Sequence, residues 1–277
     1  MTTVSVLIPI YYKESIDTIR KCFNSIANQS YKPTEVVCAL DDPSTPEIEA
    51  ELDKQAEDTG LKVVKCYCKR GSGLGAVLNT GVSHCSDEYI ARMDADDIAM
   101  PNRIEKEVKF LDSHPDVDIV GSNIAEFDKD VNHIIAYRNV PADDKSCKEM
   151  LKRRDPINHM TAMFRRSSVL KAGNYSKKMQ SCEDTFLWTS FYKHGLKFAN
   201  IQENLVLVHA GTDMYKRRGG KKAYYFVERA IRYKKKVGLI SKPDELMQRF
   251  LNFGILVMMP NSFRAFVYEK FLRKSAS

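Results

Sequence analysis

The chain has 277 residues, of which 43% are hydrophobic and 29% are charged. This composition fits one large α/β domain or two fused halves, and it excludes a disordered or collagen-like chain. The net charge of +7 is mild, but ten basic residues stand against one acid between positions 216 and 236. That basic stretch predicts either a surface that attracts phosphate, nucleic acid or anionic lipid, or an ordinary solvated helix face.

The cysteines and the apolar segments indicate the cellular compartment of the protein. The seven cysteines are scattered and odd in number, and no C-x2-C pair is present, which favours a reduced compartment. The N-terminus lacks the basic leading segment of a signal peptide, and the longest apolar run, 250–260, is shorter than the roughly 18–20 residues of a membrane span. We therefore expect a cytoplasmic protein, either soluble or lying at the inner face of the cell membrane.

The first hundred residues alternate between short apolar stretches and helical patterns. The predicted strands are 4–10, 35–40, 61–67 and 88–93, and the predicted helices between them are 15–29, 46–59 and 76–85. Such alternation predicts a mostly parallel sheet with helices on both faces. Ligands of these sheets bind beyond the carboxyl ends of the strands, so the residues that follow each strand become candidates for a site.

The rest of the chain stays mixed and ends in a helical region. The predicted elements are a helix at 103–113, strands at 118–121 and 160–164, a helix at 167–172, an aromatic-rich helix at 183–194, one or two strands at 198–208, and helices from about 221. Residues 122–157 give no clear pattern. Because no flexible linker is visible, we expect two closely packed halves.

Three carboxylates crowd the end of the predicted strand 88–93. Asp94, Asp96 and Asp97 fall within four positions, and such acids repel one another unless a cation neutralises them. Oxygen ligands favour Mg2+ or Mn2+, which take further ligands from substrate phosphates. The pattern therefore predicts a metal that bridges the protein and a diphosphate. The alternative is a helix start with Asp97 as the N-cap before Ile98.

Four segments carry recognisable motifs in a fixed order. Residues 4–12 form an apolar opening strand, 24–31 read S-I-x-x-Q-x-Y after Asn24, 94–103 hold D-x-D and P-x-R, and 183–188 hold E-D followed by L-W. Together they resemble the inverting glycosyltransferases of family 2, which have the GT-A fold. The resemblance runs over about residues 3–215 and is strongest to bacterial enzymes that build exopolysaccharide, capsule or O-antigen units.

The resemblance implies a GT-A-like α/β fold and a role for each matched residue. The family's D-D-G-S reads Asp41-Asp42-Pro43-Ser44 here, so which acid contacts the base of a UDP-sugar donor stays open. The implied roles are donor binding by Pro9, Tyr11, Asp41, Asp42 and Asp94, metal binding by Asp94 and Asp96, catalysis by Asp184 with Glu183 beside it, and acceptor binding by His159 and Trp188.

A single base is chemically sufficient for this reaction. The acceptor hydroxyl must lose its proton as it attacks the anomeric carbon, and a carboxylate such as Asp184 can accept that proton. The leaving group is already a diphosphate whose charge a metal stabilises, so direct attack with inversion needs no protein nucleophile. The alternative for Glu183 and Asp184 is an ordinary helix start, where acids are common.

Several other residues have more than one reading. His159 either contacts the acceptor sugar or satisfies a backbone group. His209, at the end of a predicted strand, is a third metal ligand, a diphosphate contact or a structural residue. Arg217 and Arg218 either clamp the donor diphosphate or belong to a basic surface. The glycine-rich turn at 71–75 does not match a P-loop or dinucleotide motif, and we expect it to pass near the donor.

The C-terminal region offers one further candidate surface. Phe263, Phe266, Val267 and Phe271 share one helical face with basic residues nearby, a combination typical of a helix in a membrane interface. Packing onto the catalytic domain is the alternative. A lipid-linked acceptor would make peripheral membrane contact useful.

These observations combine into one functional expectation. Residues 1–115 form a half that binds nucleotide-sugar and metal, 116–215 form an acceptor-binding half of the same domain, and 216–277 form a basic helical extension. A sugar-nucleotide pyrophosphorylase is the first alternative, but it needs a glycine-rich, lysine-bearing loop after the first strand, where Tyr11 and Tyr12 stand instead. A nucleic-acid binder is the second, and the strand-end acids argue against it because they repel phosphate.

Overall fold

A computed structural model describes residues 2–128, 130–210, 220–259 and 274–275. Ten strands form one sheet in the order β10-β7-β6-β8-β4-β1-β2-β3, with β9 beside β6 and β5 beside β9. The strands are β1 (Val4–Ile10), β2 (Glu35–Asp42), β3 (Val63–Lys69), β4 (Tyr89–Arg92), β5 (Ile98–Ala99), β6 (Ile119–Phe127), β7 (Ile134–Arg138), β8 (Met163–Arg165), β9 (Phe198–His209) and β10 (Lys274–Ser275).

Helices cover both faces of this sheet. They are α1 (Ile16–Ala27), α2 (Pro46–Thr59), α3 (Leu74–His84), α4 (Arg103–Ser113), α5 (Asp144–Leu151), α6 (Arg166–Lys171), α7 (Glu183–Lys193), α8 (Lys221–Lys236) and α9 (Lys242–Phe253). A π-helical turn, Gly254–Met258, follows α9. Side chains of successive strand residues point to opposite faces, so Leu7 of β1 joins one core with α3 and α7, whereas Val6 and Ile8 join the other with α1, α2 and α4.

The predicted α/β fold is confirmed, with one refinement of the sheet. Strands β3, β2, β1 and β4 are parallel neighbours, as the strand–helix alternation predicts. Beyond β4 the sheet is mixed, because β8 runs antiparallel to both β4 and β6, and β7 is antiparallel to β6. Residues 122–157, which have no clear sequence pattern, contain the end of β6, all of β7 and α5.

The S-I-x-x-Q-x-Y segment of the sequence anchors the acidic strand end. The Gln29 side chain, buried at the end of α1, donates to the carbonyls of Ser25 and Met100, and its Oε1 accepts from the Ile104 backbone N–H. The Ser25 hydroxyl accepts from the Ala99 backbone N–H at 3.1 Å. These bonds fix β5 and the residues just after it, and hence the position of the adjoining segment that carries the acids.

The C-terminal helices belong to the same packing unit as the sheet. Ile231 of α8, with Leu239 and Ile240 after it, is buried in the core that contains Leu7 of β1. Within the described residues, none of the helices is both long and apolar enough to cross a membrane. The predicted apolar face of Phe263, Phe266, Val267 and Phe271 lies outside the described residues.

Candidate active site

A cavity of about 870 Å³ opens at the carboxyl ends of β1, β2 and β4. Five of the predicted donor and metal residues line it: Pro9, Tyr11, Asp41, Asp94 and Asp96. The prediction that ligand-binding groups gather at this edge of the sheet therefore agrees with the geometry. The other walls come from later segments of the chain, namely Gly71, Gly73, Gln180, Ser181, Lys222 and Phe226.

The two adjacent acids at the end of β2 face opposite ways. Asp41 is 8% exposed and lines the cavity, and its Oδ2 lies 3.4 Å from the Tyr12 backbone nitrogen, which donates to it. Asp42 is exposed and is not part of the cavity wall, because neighbouring strand residues alternate between faces. Of the two acids that the sequence leaves open, Asp41 is the one that lines the cavity, and donor binding by Asp42 stays a prediction.

The glycine-rich turn forms part of the cavity wall. Gly73 has φ +87°, a value that favours glycine, and a Cβ there would lie 2.6 Å from the Gln180 Cα. A Cβ on Gly75 would lie 2.5 Å from the Met179 carbonyl oxygen. These glycines therefore permit close contact between the turn and residues 176–180, which brings Gln180 into the cavity.

Asp94 is held by an arginine that the sequence analysis did not single out. Arg92 is 1% exposed, and its two terminal nitrogens donate to the two carboxylate oxygens of Asp94 at 2.8 and 2.5 Å. A planar guanidinium matches a carboxylate in this bidentate manner. The signal was present in the sequence, since residues two apart on a strand share a face. Asp94 therefore meets the cavity already paired with a buried cation.

Asp96 has a different environment and a different partner. Its Oδ2 lies 3.9 Å from the Nδ1 of His209 at the end of β9, and both side chains are more than a third exposed. Burial of the carboxyl, followed by the negative charge of Asp94, raises the pKa of Asp96 to about 6. Asp96, which lines the cavity, and His209 are thus neighbours, although these two predicted metal ligands are far apart in sequence.

Asp97 does not cap a helix, so that alternative reading of the acidic motif is wrong. The strand β5 follows it, and the next helix, α4, begins only at Arg103. Asp97 is 2% exposed, and its Oδ1 accepts from the His209 backbone N–H at 3.0 Å. It fixes the end of β9, and with it the imidazole of His209, beside Asp96.

The donor set at this edge suits a hard divalent cation only in part. Among the described residues, no group of three histidine, cysteine, aspartate or glutamate side chains could hold a metal ion. Asp96 and His209 supply two neighbouring ligands, and Mg2+ typically uses one or two protein carboxylates together with substrate phosphates. Burial and the charge of Asp94 disfavour the ionised form of Asp96, which a nearby cation would stabilise. The residues therefore fit a cation that takes its other ligands from a bound diphosphate.

The second acidic pair lies at the start of α7. Glu183 is 6% exposed, and burial together with the charge of Asp184 raises the pKa of Glu183 to about 8. Burial and the charge of Asp155 raise the pKa of Asp184 to about 6. Acids at a helix start are ordinarily stabilised as anions, which would lower their pKa. The pKa values of these two are raised instead, because burial destabilises their charged forms. Such raised pKa values are typical of functional groups. At neutral pH, Asp184 is the more ionised of the two.

Asp184 lies behind the cavity wall. It is half-buried and three residues beyond Ser181, which does line the cavity. Arg92 connects the two acidic groups, because its charge lowers the pKa of Asp184 while its guanidinium pairs with Asp94. The predicted base is thus linked to the predicted donor site through the ion pair between Arg92 and Asp94.

The two residues predicted to bind acceptor are buried. The His159 Nδ1 lies 3.7 Å from Glu183 Oε1, and its Nε2 lies 2.8 Å from the Tyr175 hydroxyl. Trp188 is 0% exposed, and its indole packs edge-on against the His159 ring at a centroid distance of 5.9 Å. Trp188 therefore has no free face for a sugar, and the expectation of direct acceptor contact is corrected to support of His159. Arg217 and Arg218 lie outside the described residues.

Known proteins resemble this chain over most of its length. The Glycosyl transferase family 2 model matches residues 5–173, a span that includes the strand-end acids and stops short of Asp184. An uncharacterised glycosyltransferase of Haemophilus influenzae is 37% identical, with 98% of this chain and 99% of that protein aligned. The amylovoran biosynthesis glycosyltransferase AmsE of Erwinia amylovora is 32% identical over 96% of this chain and 98% of its own.

A third relative has a fully specified activity in its name. The UDP-Gal:alpha-D-GlcNAc-diphosphoundecaprenol beta-1,3-galactosyltransferase of Escherichia coli is 29% identical over 98% of this chain and 96% of its own.

Solved structures support the fold. S. aureus TarS 1-349 in complex with UDP-GlcNAc superposes with a TM-score of 0.70 at 16% identity, covering 96% of this chain and 79% of that chain. The mannosyltransferase PcManGT from Pyrobaculum calidifontis, in complex with GDP-Man and Mn2+, has a TM-score of 0.66 at 17% identity, covering 95% and 72%. The sheet edge with its acids, the matched family model and the near full-length relatives lead to one conclusion: the chain is a glycosyltransferase of the GT-A fold and belongs to glycosyl transferase family 2.

Proposed function

We propose that the protein transfers a sugar from a UDP-sugar to a lipid-linked saccharide with inversion at the anomeric carbon, in the synthesis of a bacterial surface polysaccharide. One observation carries this proposal: Asp41, Asp94 and Asp96 line a single cavity, and Asp184 lies just behind it through Arg92. The names of the Escherichia coli and Erwinia relatives support the choice of donor, acceptor and pathway class.

The donor would lie across the strand ends, with its nucleotide beside β1 and β2. Tyr11, 50% exposed, offers a ring for stacking on a base, and the Asp41 carboxylate can accept a hydrogen bond from a uracil N–H. Asp96 and His209 would hold a Mg2+ or Mn2+ ion, which would neutralise the charge of the departing diphosphate. In this scheme residues 1–115 bind the donor and residues 116–215 bind the acceptor, while α8 of the extension also contributes to the cavity wall.

Asp184 would act as the general base. Its pKa of about 6 keeps it largely ionised at neutral pH and still close enough to that pH for efficient proton transfer. Glu183, with a pKa of about 8, keeps its proton under the same conditions and so leaves a single anion at the start of α7. Direct proton removal from the acceptor hydroxyl by one carboxylate is the chemistry of a single displacement, which inverts the anomeric carbon.

A membrane-bound acceptor agrees with the surface of α9. Seven large apolar side chains within 13 residues of α9 and the π-helical turn are exposed by more than a third: Leu246, Met247, Phe250, Leu251, Phe253, Ile255 and Met258. Exposed apolar patches of this kind mark interaction sites. The patch adjoins the cavity, because the Gly220 backbone N–H donates to the Leu256 carbonyl, and Lys222, two residues on, lines the cavity. We propose that the patch lies on the anionic inner face of the cell membrane.

The proposal is tested with purified protein and defined substrates. A panel of UDP-, GDP- and TDP-sugars is screened for Mn2+-dependent thermal stabilisation, since a ligand that prefers the folded state raises the melting temperature. The stabilising donor is then incubated with a synthetic polyprenyl-diphosphate sugar, and the anomeric configuration of the product is read by NMR. We expect a UDP-sugar to stabilise most and the product to be inverted; a retained configuration would overturn the mechanism.

Membrane contact has its own test. Co-sedimentation with vesicles of phosphatidylglycerol and phosphatidylethanolamine should capture the parent protein. A variant with Phe250→Ser and Met258→Ser should lose most of this binding, because it removes the two most exposed members of the patch, 79% and 71% exposed. Equal sedimentation of both proteins would exclude the patch as the membrane contact.

A further inference from the structure

The arginine of the P-x-R motif is one of the largest fully buried side chains of the protein. Arg103, the first residue of α4, is 1% exposed. Its Nη2 donates to the backbone carbonyl of Arg92 at 2.7 Å. Its Nε lies 3.2 and 3.3 Å from the two carboxylate oxygens of Glu107, which is 0% exposed. Arg103 thus joins the start of α4 to the end of β4.

The carbonyl that Arg103 meets lies where the pairing of β4 with β8 stops. The Arg92 N–H donates to the Ala162 carbonyl at 2.8 Å. The Ala162 N–H, however, donates to the His159 carbonyl at 3.2 Å instead of returning to Arg92. A buried backbone carbonyl needs a donor, and the guanidinium of Arg103 supplies the one that the neighbouring strand does not.

The pairing of β4 with β1 stops at the same place. The Met93 N–H donates to the Leu7 carbonyl at 3.0 Å. Two residues further along β1 stands Pro9, which has no N–H with which to continue a parallel ladder. Beyond Met93 the chain therefore leaves the sheet, and the bond from Arg103 to the Arg92 carbonyl fixes the point from which it departs.

The residue whose main chain Arg103 holds is also the one whose side chain holds Asp94. The guanidinium of Arg92 donates to the two oxygens of Asp94 at 2.8 and 2.5 Å. Because a bidentate pair has a defined geometry, a shift of the Arg92 backbone would move the Asp94 carboxylate within the cavity wall. Two arginines in series thus connect Glu107, in the interior, to an acid of the site.

Stability alone is a weak reason for this buried pair. The desolvation of two charges often offsets their attraction, and replacing both partners with apolar side chains is frequently neutral or stabilising. The other buried positions of α4 are indeed apolar, namely Ile104, Val108 and Leu111. What an apolar side chain could not supply at position 103 is a donor for the Arg92 carbonyl.

We propose that Arg103, oriented by Glu107, is a positioning residue for the donor and metal site: it holds the Arg92 carbonyl where the sheet ends and thereby sets the place of Asp94 and of Asp96, two residues on. The inference rests on the proposed function where that function assigns these acids to donor and metal. The placement of the acidic segment itself can be measured without any ligand.

Hydrogen–deuterium exchange measures this placement in the protein alone. The reporter amides are those of Met93 and Asp97, the second of which is bonded to the Asp94 carbonyl at 3.4 Å. Arg103→Met removes the donors, so the exchange of peptides that cover this segment should become about 10-fold faster relative to peptides of β2. The matched control is Leu111→Ala, at a 0% exposed position of the same helix. It should lower the melting temperature but leave this ratio within about twofold.

Binding of UDP with Mn2+ measures the consequence for the site. In Arg103→Met, isothermal titration should give about 10-fold weaker Mn2+-dependent UDP binding, since groups that orient metal ligands typically contribute about 10- to 100-fold. Leu111→Ala should bind UDP as the parent does. Adding Glu107→Leu to Arg103→Met removes the unpaired buried carboxylate, so the melting temperature should return towards the parent value while UDP affinity stays low. Arg103→Lys, which keeps the charge and a donor, should recover part of the affinity.

A milder variant covers the case in which Arg103→Met folds poorly. Glu107→Gln keeps the shape of the side chain but weakens its hold on Arg103. The exchange ratio should then rise and UDP affinity should fall by about threefold each, because a bond to a charged group becomes one to a neutral group.

Three results would overturn the inference. The first is an exchange ratio for the acidic segment that is the same in Arg103→Met and in the parent. The second is an equal loss of UDP affinity in Leu111→Ala, and the third is an affinity that returns together with the melting temperature in the double variant. Failure of the proposed function looks different: the parent itself would show no Mn2+-dependent binding of any nucleotide, and the exchange ratios would still decide whether Arg103 places the segment.

Discussion

The two acidic groups of this protein are built in opposite ways. At the end of β4, Asp96 is more than a third exposed, faces the cavity and has His209 as its ion-pair partner among the described residues. At the start of α7, Asp184 lies behind the wall, within the field of Arg92 and Arg138. A ligand from outside the protein would have to neutralise the negative charge of the first group. The cations that face the second group belong to the protein itself.

Under the proposed function, this difference would separate binding from proton transfer. An open, uncompensated carboxylate suits a metal that arrives and leaves with a diphosphate. A carboxylate with fixed internal cations keeps a defined protonation state whether or not substrate is present. The comparison predicts that substitutions in the two groups affect different measurements.

The largest effect is expected from the base. Asp184→Asn should lower kcat about 1,000-fold, because general-base catalysis contributes on the order of 100- to 10,000-fold. Donor-induced thermal stabilisation should stay near the parent value, since Asp184 is not part of the cavity wall. Both are measured with the donor from the screen, and Asp53→Asn on the exposed side of α2 serves as the control. Retained turnover would exclude Asp184.

A second, smaller effect separates the metal group from the base. Asp96→Asn should weaken Mn2+-dependent UDP binding by about 10- to 100-fold, because one of two adjacent ligands loses its charge. Isothermal titration with UDP, in the presence of Mn2+ and after chelation, measures this loss. Asp42→Asn is the matched control, since that acid faces solvent at the neighbouring strand end. Equal metal dependence in Asp96→Asn and the parent would count against the metal site.

The third effect concerns stability alone. Burial raises the pKa of Glu183 from 4.5 to about 8, so this group favours the folded state at low pH and that contribution is lost as the pH rises from about 4.5 to 8. Glu183→Gln stays neutral and should exceed the parent in stability at pH 9 by up to about 3 kcal/mol, or about 6 °C in melting temperature.

Calorimetry at pH 5 and pH 9 checks the sign of this prediction. The gain should shrink towards pH 5, where Glu183 keeps its proton in the folded parent. Glu57→Gln, on an exposed position of α2, should change neither melting temperature. A gain of the same size at both pH values would mean that charge burial is not its cause.

The sequence predicts the first half of the site better than the second. Apolar strands that run directly into acids identify the cavity edge, because strand ends and parallel order follow from local patterns. The Asp96–His209 neighbourhood depends on β9 lying beside β6 and β5. These pairings join residues 79 to 82 apart in the case of β6 and 107 to 109 apart in the case of β5, and no local pattern encodes them.

Burial is the other property that the sequence pattern leaves open. Trp188 and His159 sit in motifs that suggest acceptor contact, yet both are covered in the structure by α7 and its neighbours. Lys234 belongs to a basic run that predicts a solvated face, and it alone of the three lysines at 234–236 is buried. Such exceptions follow from how two helices pack, which depends on their facing side chains rather than on composition.

The position of α8 has a consequence for how the enzyme folds during its synthesis on the ribosome. Lys222, Ala223 and Phe226 complete a cavity whose first walls are made at Pro9 and Tyr11. The acids at the strand ends are therefore synthesised long before the residues that enclose the cavity. A nascent chain should gain full affinity for its donor only after the last quarter has emerged and docked.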